Sequence, residues 1–157
     1  MFVARSFLRR SSSSLGRYAS SLVVAEHDAA GLSAGTLATI TAASQIGGDV
    51  SVLLMGKNLD AVAKSAATVA GVSKVLVLES DILEQCLAED MAAALVQIAP
   101  KYTHILAASS NHGKNFVPRA AALLDSQPLM DVLAVVDEAT FRRPMYAGNA
   151  IATMVRV

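Results

Sequence analysis

Residues 22–55 decide the fold. They read Leu22-Val23-Val24-Ala25, then a segment from Ser33 to Ile46 closed by Gly47-Gly48, then Val52-Leu53-Leu54-Met55. Both apolar runs are continuous rather than alternating, which is the pattern of strands covered on two faces and hence of a parallel sheet. Parallel neighbours need a crossover of a dozen or more residues. The interval supplies one: Ser33 can cap a helix that ends at Gly47-Gly48, and its Ala, Thr and Gly content suits close packing on a sheet.

The same unit recurs along the chain. Val75-Leu76-Val77-Leu78, His104-Ile105-Leu106-Ala107-Ala108 and Val132-Leu133-Ala134-Val135-Val136 follow, and the five runs start 30, 23, 29 and 28 residues apart. Each gap has room for one helix. Asn58 is the expected cap of the second helix, whose stripe of Leu59, Val62, Ala63, Ala66, Val69 and Ala70 stops at Gly71. Asp81 with Glu84 resembles a capping box for a short turn, and Ala88 to Ile98 makes a long helix halted by Pro100. The fourth long helix is expected to start near Asn115, with Pro118 in its first turn, and to run to Leu124.

From Phe141 the pattern changes. Phe141 to Tyr146, the turn Gly148-Asn149 and the alternating Ile151, Thr153, Val155, Val157 predict two antiparallel strands. The expected architecture is therefore α/β: a three-layer, mostly parallel Rossmann-like sheet with helices on both faces and an antiparallel edge region at the C-terminus. Because the sequence stops at Val157 inside a strand pattern, the α/β domain of residues 21–157 is expected to be incomplete.

Composition narrows the function classes. The 157 residues are 54% hydrophobic and 17% charged, with 13 basic and 13 acidic side chains. That balance fits a globular protein and excludes a disordered tail or a polybasic nucleic-acid binder. The only cysteine, Cys86, excludes an internal disulfide, and with His27, His104 and His112 it gives no zinc-ligand spacing, so no metal site is expected. No membrane insertion is expected either. The longest uncharged stretch, Ala29 to Gly48, is broken by Ser33, Thr36, Thr39, Thr41, Ser44 and Gln45.

The zero net charge conceals an asymmetry. Arg5, Arg9, Arg10 and Arg17 precede the first acid, Glu26, and lie among Ser6, the run Ser11 to Ser14 and the apolar Phe2, Val3, Phe7 and Leu8. An Arg-rich, Ser-rich, acid-free N-terminus reads as a mitochondrial transit peptide over residues 1–20, with processing near Arg17-Tyr18. Without those residues, 9 basic side chains face 13 acidic ones.

In an open α/β sheet, ligands sit beyond the carboxyl ends of the strands. After the fourth run comes Ser109-Ser110-Asn111-His112-Gly113-Lys114-Asn115, where hydroxyls, a glycine and a lysine precede a helix N-terminus. Ser109, Ser110, Gly113 and Lys114 are the anion-site candidates. No Walker loop and no G-x-G-x-x-G follows any strand. Glu26-His27-Asp28 after the first run point in alternating directions and read as a solvated loop. Cys86 reads as a small buried filler in a helical region, and Arg142-Arg143 as a solvated device on an edge strand, with an interface or phosphate contact as the alternative. No nucleophile elbow or triad is present, so no catalytic residue is assigned.

Several segments taken together are familiar. Val23 to His27, Leu37 to Gly48 ending Ala-Ser-Gln-Ile-Gly-Gly, Ala70 to Leu76, Tyr102 to Ile105, Gly113-Lys114-Asn115-Phe116-Val117-Pro118-Arg119-Ala120-Ala121 and Tyr146-Ala147-Gly148-Asn149-Ala150 resemble the N-terminal domain of the electron transfer flavoprotein alpha subunit. The resemblance runs in order from about Ser21 to Val157. It implies an electron carrier rather than an enzyme with its own substrate. Such a carrier is a heterodimer with a beta subunit in the mitochondrial matrix, accepts electrons from acyl-CoA and related dehydrogenases through FAD, and passes them to a quinone oxidoreductase. It also implies that a second, C-terminal domain holds most of the flavin, so no flavin-contacting residue carries over and this chain alone is expected to hold none. The alternative reading is a stand-alone nucleotide-binding α/β module using Ser109, Ser110, Gly113 and Lys114.

Overall fold

The computed structural model describes residues 1–4, 19–28 and 31–156. Most of the transit peptide expected over residues 1–20, with its Arg17-Tyr18 processing site, lies outside the described residues. The elements are β1 (Phe2–Ala4), β2 (Ser20–Val24), β3 (His27–Asp28), β4 (Gly31–Leu32), α1 (Ala34–Ile46), β5 (Asp49–Gly56), α2 (Asp60–Ala67), β6 (Lys74–Glu79), α3 (Ala88–Ile98), β7 (His104–Ala107), α4 (Asn111–Leu123), β8 (Ala134–Val135), β9 (Thr140–Met145) and β10 (Ala150–Val155).

The main sheet has the order β1-β7-β2-β5-β6. Its four long members are parallel, with Val24 opposite Leu53 and Ala107 across β2, and Met55 opposite Leu78. β1 pairs antiparallel with β7 at one edge, Val3 opposite Leu106. The inner strands β2, β5 and β7 are buried almost throughout, as their unbroken apolar runs require, while the edge strand β6 is only partly covered although its run Val75–Leu78 is equally apolar.

Two cores lie on the two faces. Leu22, Val24, Leu53, Met55 and Ile105 pack against Met91, Leu95 and Phe116 from α3 and α4. Val23, Val52, Leu54 and Leu106 pack against Ile40, Ala43 and Val62 from α1 and α2 and against Phe141 from β9. α1 buries Thr36 and Thr39 along with its apolar residues, and the Thr39 hydroxyl is satisfied by donating back to the Gly35 carbonyl at 2.8 Å.

Four local expectations need correction. Val132–Val136 is not a fifth parallel strand: only Ala134–Val135 is extended, and it pairs with β9 in a separate three-stranded antiparallel sheet of order β10-β9-β8. Val132 is buried but Leu133, Ala134 and Val136 are exposed, so that run is not covered on both faces. Asn58 does not cap α2 and has φ 57; instead the Glu79 carboxylate accepts from the Leu59 N–H at 2.6 Å. Ser80 rather than Asp81 caps the short turn of residues 81–83. α4 starts four residues earlier than expected, capped by Ser110, so Pro118 stands inside it and has no N–H for the Lys114 carbonyl.

Among the described residues, no helix is long and apolar enough to cross a membrane.

Candidate functional site

The chain runs from β2 to β5 and β6 on one side and then returns to β7 on the other. The gap beyond the carboxyl ends of β2 and β7 is thus the point where strand order reverses, the usual crevice for a ligand in an open α/β sheet. Two helix N-termini meet there. The Ser33 side chain accepts from the Thr36 N–H at 3.1 Å to start α1, and the Ser110 side chain accepts from the Gly113 N–H at 2.9 Å to start α4. Each cap of this type is worth about 1 kcal/mol. Gly35 permits the approach, since a Cβ there would lie 3.1 Å from the Ala108 Cβ at the end of β7.

The end of β2 is tied into the same cluster. The Glu26 N–H donates to the Thr36 hydroxyl oxygen at 2.8 Å, and that hydroxyl donates to the Glu26 carbonyl at 2.9 Å. The Ser110 hydroxyl, besides capping α4, donates to the Glu26 carboxylate. Beside it the Ser109 hydroxyl donates to Asp131, and the Lys114 ammonium lies 3.1 Å from the same carboxylate oxygen. The Ser109 hydrogen bond, seconded by Lys114, holds the Asp131 carboxyl below its ordinary value.

The anion-site candidates therefore come together: Ser109, Ser110, Gly113 and Lys114 all lie at the start of α4. Sequence reasoning missed their partners. Glu26 and Asp131 bring two carboxylates to the positive end of α4, where a bound anion would otherwise sit. Next to this cluster a groove of about 250 Å³ opens along α1 and is lined by Gly35, Ala38, Thr39, Ala42, Ser109 and Val132, among others.

The remaining candidates stay apart. His27 Nε2 lies 3.3 Å from the Met55 carbonyl and Asp28 accepts from the Gly31 N–H at 3.0 Å, so the three neighbours Glu26, His27 and Asp28 reach three different partners. Cys86 is half-buried in a turn with φ 49, rather than in a helix, and its thiol lies 3.5 Å from the Leu83 carbonyl. Arg142 and Arg143 are successive residues of β9 and face opposite ways, and the edge-strand expectation is corrected: β9 is the middle strand of its sheet, and Arg143 is half-buried rather than solvated. Among the described residues, no group of His, Cys, Asp or Glu could hold a metal ion.

Residues 21–157 match the electron transfer flavoprotein domain. The chain belongs to the electron transfer flavoprotein family. It is 50% identical over 133 residues to the electron transfer flavoprotein subunit alpha of Pseudomonas aeruginosa, which covers 85% of this chain and 43% of that protein. It is 43% identical over 145 residues to the mitochondrial subunit alpha of Dictyostelium discoideum, covering 87% and 41%, and 42% identical over 148 residues to that of Arabidopsis thaliana, covering 90% and 41%. The chain thus spans about two-fifths of the length of these flavoprotein relatives.

A flavoprotein family implies a flavin, and the crevice does not fit the diphosphate of FAD. A diphosphate needs free N–H and hydroxyl donors and a net positive surround. Here the Ser110 and Ser109 hydroxyls and the Lys114 ammonium already serve Glu26 and Asp131, whose charges would oppose a second anion.

Proposed function

We propose that the chain serves as the scaffold and subunit-docking part of the alpha subunit of a mitochondrial electron transfer flavoprotein. The single observation that carries this reading is the family match over residues 21–157, together with relatives whose names place them as mitochondrial alpha subunits. The acid-free, arginine-rich residues 1–20 support a matrix destination as a transit peptide. In the whole carrier, FAD takes electrons from acyl-CoA and related dehydrogenases and hands them to a quinone oxidoreductase. The flavin is held outside this chain, and the carrier has no substrate of its own to transform.

The geometry supports a scaffold role. The crevice where a ligand would bind is closed by the chain's own carboxylates, and the buried hydroxyls of α1 are used internally. Co-expression with an affinity-tagged beta subunit from the same source tests the reading. The expected result is co-purification at one to one; a beta subunit that emerges without this chain overturns it.

A further inference from the structure

Behind β1, the main sheet ends on β6 at one side and on β7 at the other, and only β6 is built as an edge. β6 exposes Lys74 and Glu79 at its ends and leaves Val77 47% exposed, a mixture of charge and partial cover that suits an outer strand. β7 has neither. His104, Ile105, Leu106 and Ala107 are each 3% exposed or less, the burial of a strand that belongs inside a sheet. Its outer side is taken by β1, with Phe2 opposite Ala107, Val3 opposite Leu106 and Ala4 opposite Ile105.

Met1 adds further attachments. The Val132 N–H donates to the Met1 carbonyl at 3.0 Å, and Met1, half-buried, packs on the core cluster that contains Val132 and Leu106. Burial holds the Met1 amine below its ordinary value, with Asp131 and Lys114 near enough to act on it. Residues 1–4 are thus fixed to β7, to the crevice loop and to the core. They also belong to the segment read above as a transit peptide, and a cut near Arg17-Tyr18 severs them from the domain. A strand of three residues is held by its tether. Once the chain is cut, the pairing becomes bimolecular and loses the effective concentration, on the order of millimolar, that the linker supplied.

We infer that residues 1–4 are a removable cap on β7, and that processing of the leader uncovers the outer backbone of His104–Ala107 as a free strand edge. Until its removal the leader covers the edge of the sheet that carries no protection of its own, and an uncovered apolar edge is a template for pairing with another strand. The inference rests on the transit-peptide reading for the removal step alone; the cap stands on the pairing of β1 with β7.

The test is amide hydrogen exchange on the full chain, read at residues 104–107, for wild type, Val3→Pro and Ala4→Pro, with Arg9→Gln outside β1 as control. Neighbouring N–H groups of a strand point to opposite sides, so one of the two prolines removes a bond to β7 and the other a group that faces away. The expected result is exchange roughly tenfold or more faster at the β7 amides that face β1 in one proline variant, with β5 unchanged and the control like wild type. A dimer that forms only in that variant also supports the cap, since a second copy then fills the place that β1 has left. Protection retained in both proline variants with no new dimer overturns it. So do wild-type β7 amides that already exchange at the unprotected rate on the side facing β1, a result that needs no variant to fold. For the removal step, N-terminal sequencing of the protein from isolated mitochondria is expected to begin at or after Tyr18. A start at Met1 overturns the uncovering of the edge and leaves the family reading standing.

Discussion

His104 Nε2 lies 2.8 Å from the carbonyl oxygen of Glu138. A carbonyl can only accept, so Nε2 carries the hydrogen and donates it. His104 is buried at the start of β7, and Glu138 sits in the turn between β8 and β9, so this bond fastens the small antiparallel sheet to the parallel one. Phe141 makes the second fastening by entering the core beside Val132 and Leu106.

His104→Leu removes the donor while roughly keeping the volume. It also removes the ring's 2.9 Å contact with the Thr103 hydroxyl, and is expected to cost about 2 kcal/mol in chemical denaturation, the net worth of two hydrogen bonds. More specifically, amide hydrogen exchange over residues 134–155 should quicken while β2 and β5 keep their protection. Uniform exchange across both sheets would show that the bond does not fasten them.

Gly47 and Gly48 end α1 side by side at φ 91 and 75, yet they differ in surroundings. A Cβ on Gly47 meets nothing within 4 Å, whereas one on Gly48 would fall 1.7 Å from the Ala19 carbonyl oxygen. Gly47→Ala should therefore cost about 1–3 kcal/mol from backbone strain alone, because φ 91 with ψ 170 is a conformation essentially confined to glycine. Gly48→Ala must displace backbone at the start of β2 and should cost roughly 3 kcal/mol or more or abolish soluble expression. Equal effects of the two substitutions would contradict the packing described.

Asp131 supplies a pH dependence. Its folded value lies below the ordinary 3.8 because the Ser109 hydroxyl and then Lys114 favour the charged form. The stabilisation is thus present above the unfolded value and disappears as pH falls through the folded one. Asp137, lowered by the backbone N–H of Ala139 and then by Thr140, acts in the same sense. Urea midpoints at pH 7 and pH 3 should fall less for Asp131→Asn than for the wild type; an identical fall in both would remove Asp131 from the account.

Much of this architecture was legible because central parallel strands must be apolar on both faces. β2, β5 and β7 declare themselves in that way, and α1 and α3 carry their stop signals at Gly47 and Pro100. Val132–Val136 looked the same by composition, but Leu133 and Val136 are exposed, and composition does not record which face is covered. Pro118 drew the expected start of α4 toward Asn115, whereas the Ser110 cap lies upstream. In the crevice, Ser110 and Lys114 could be read from a loop before a helix. Glu26 and Asp131 could not, since one lies 84 residues from Ser110 and the other 22 from Ser109, and only the folded sheet brings them together.

The central claim is that this chain is the scaffold part of a flavin-bearing carrier and does not itself hold the flavin. The direct measurement is to incubate the full chain with excess FAD, desalt it, and record absorbance in the flavin band against protein. The account expects a flavin-free protein peak, because Glu26 and Asp131 occupy the start of α4. Flavin co-eluting at near one equivalent, and released by Lys114→Ala, would contradict it and place the cofactor in the crevice between β2 and β7.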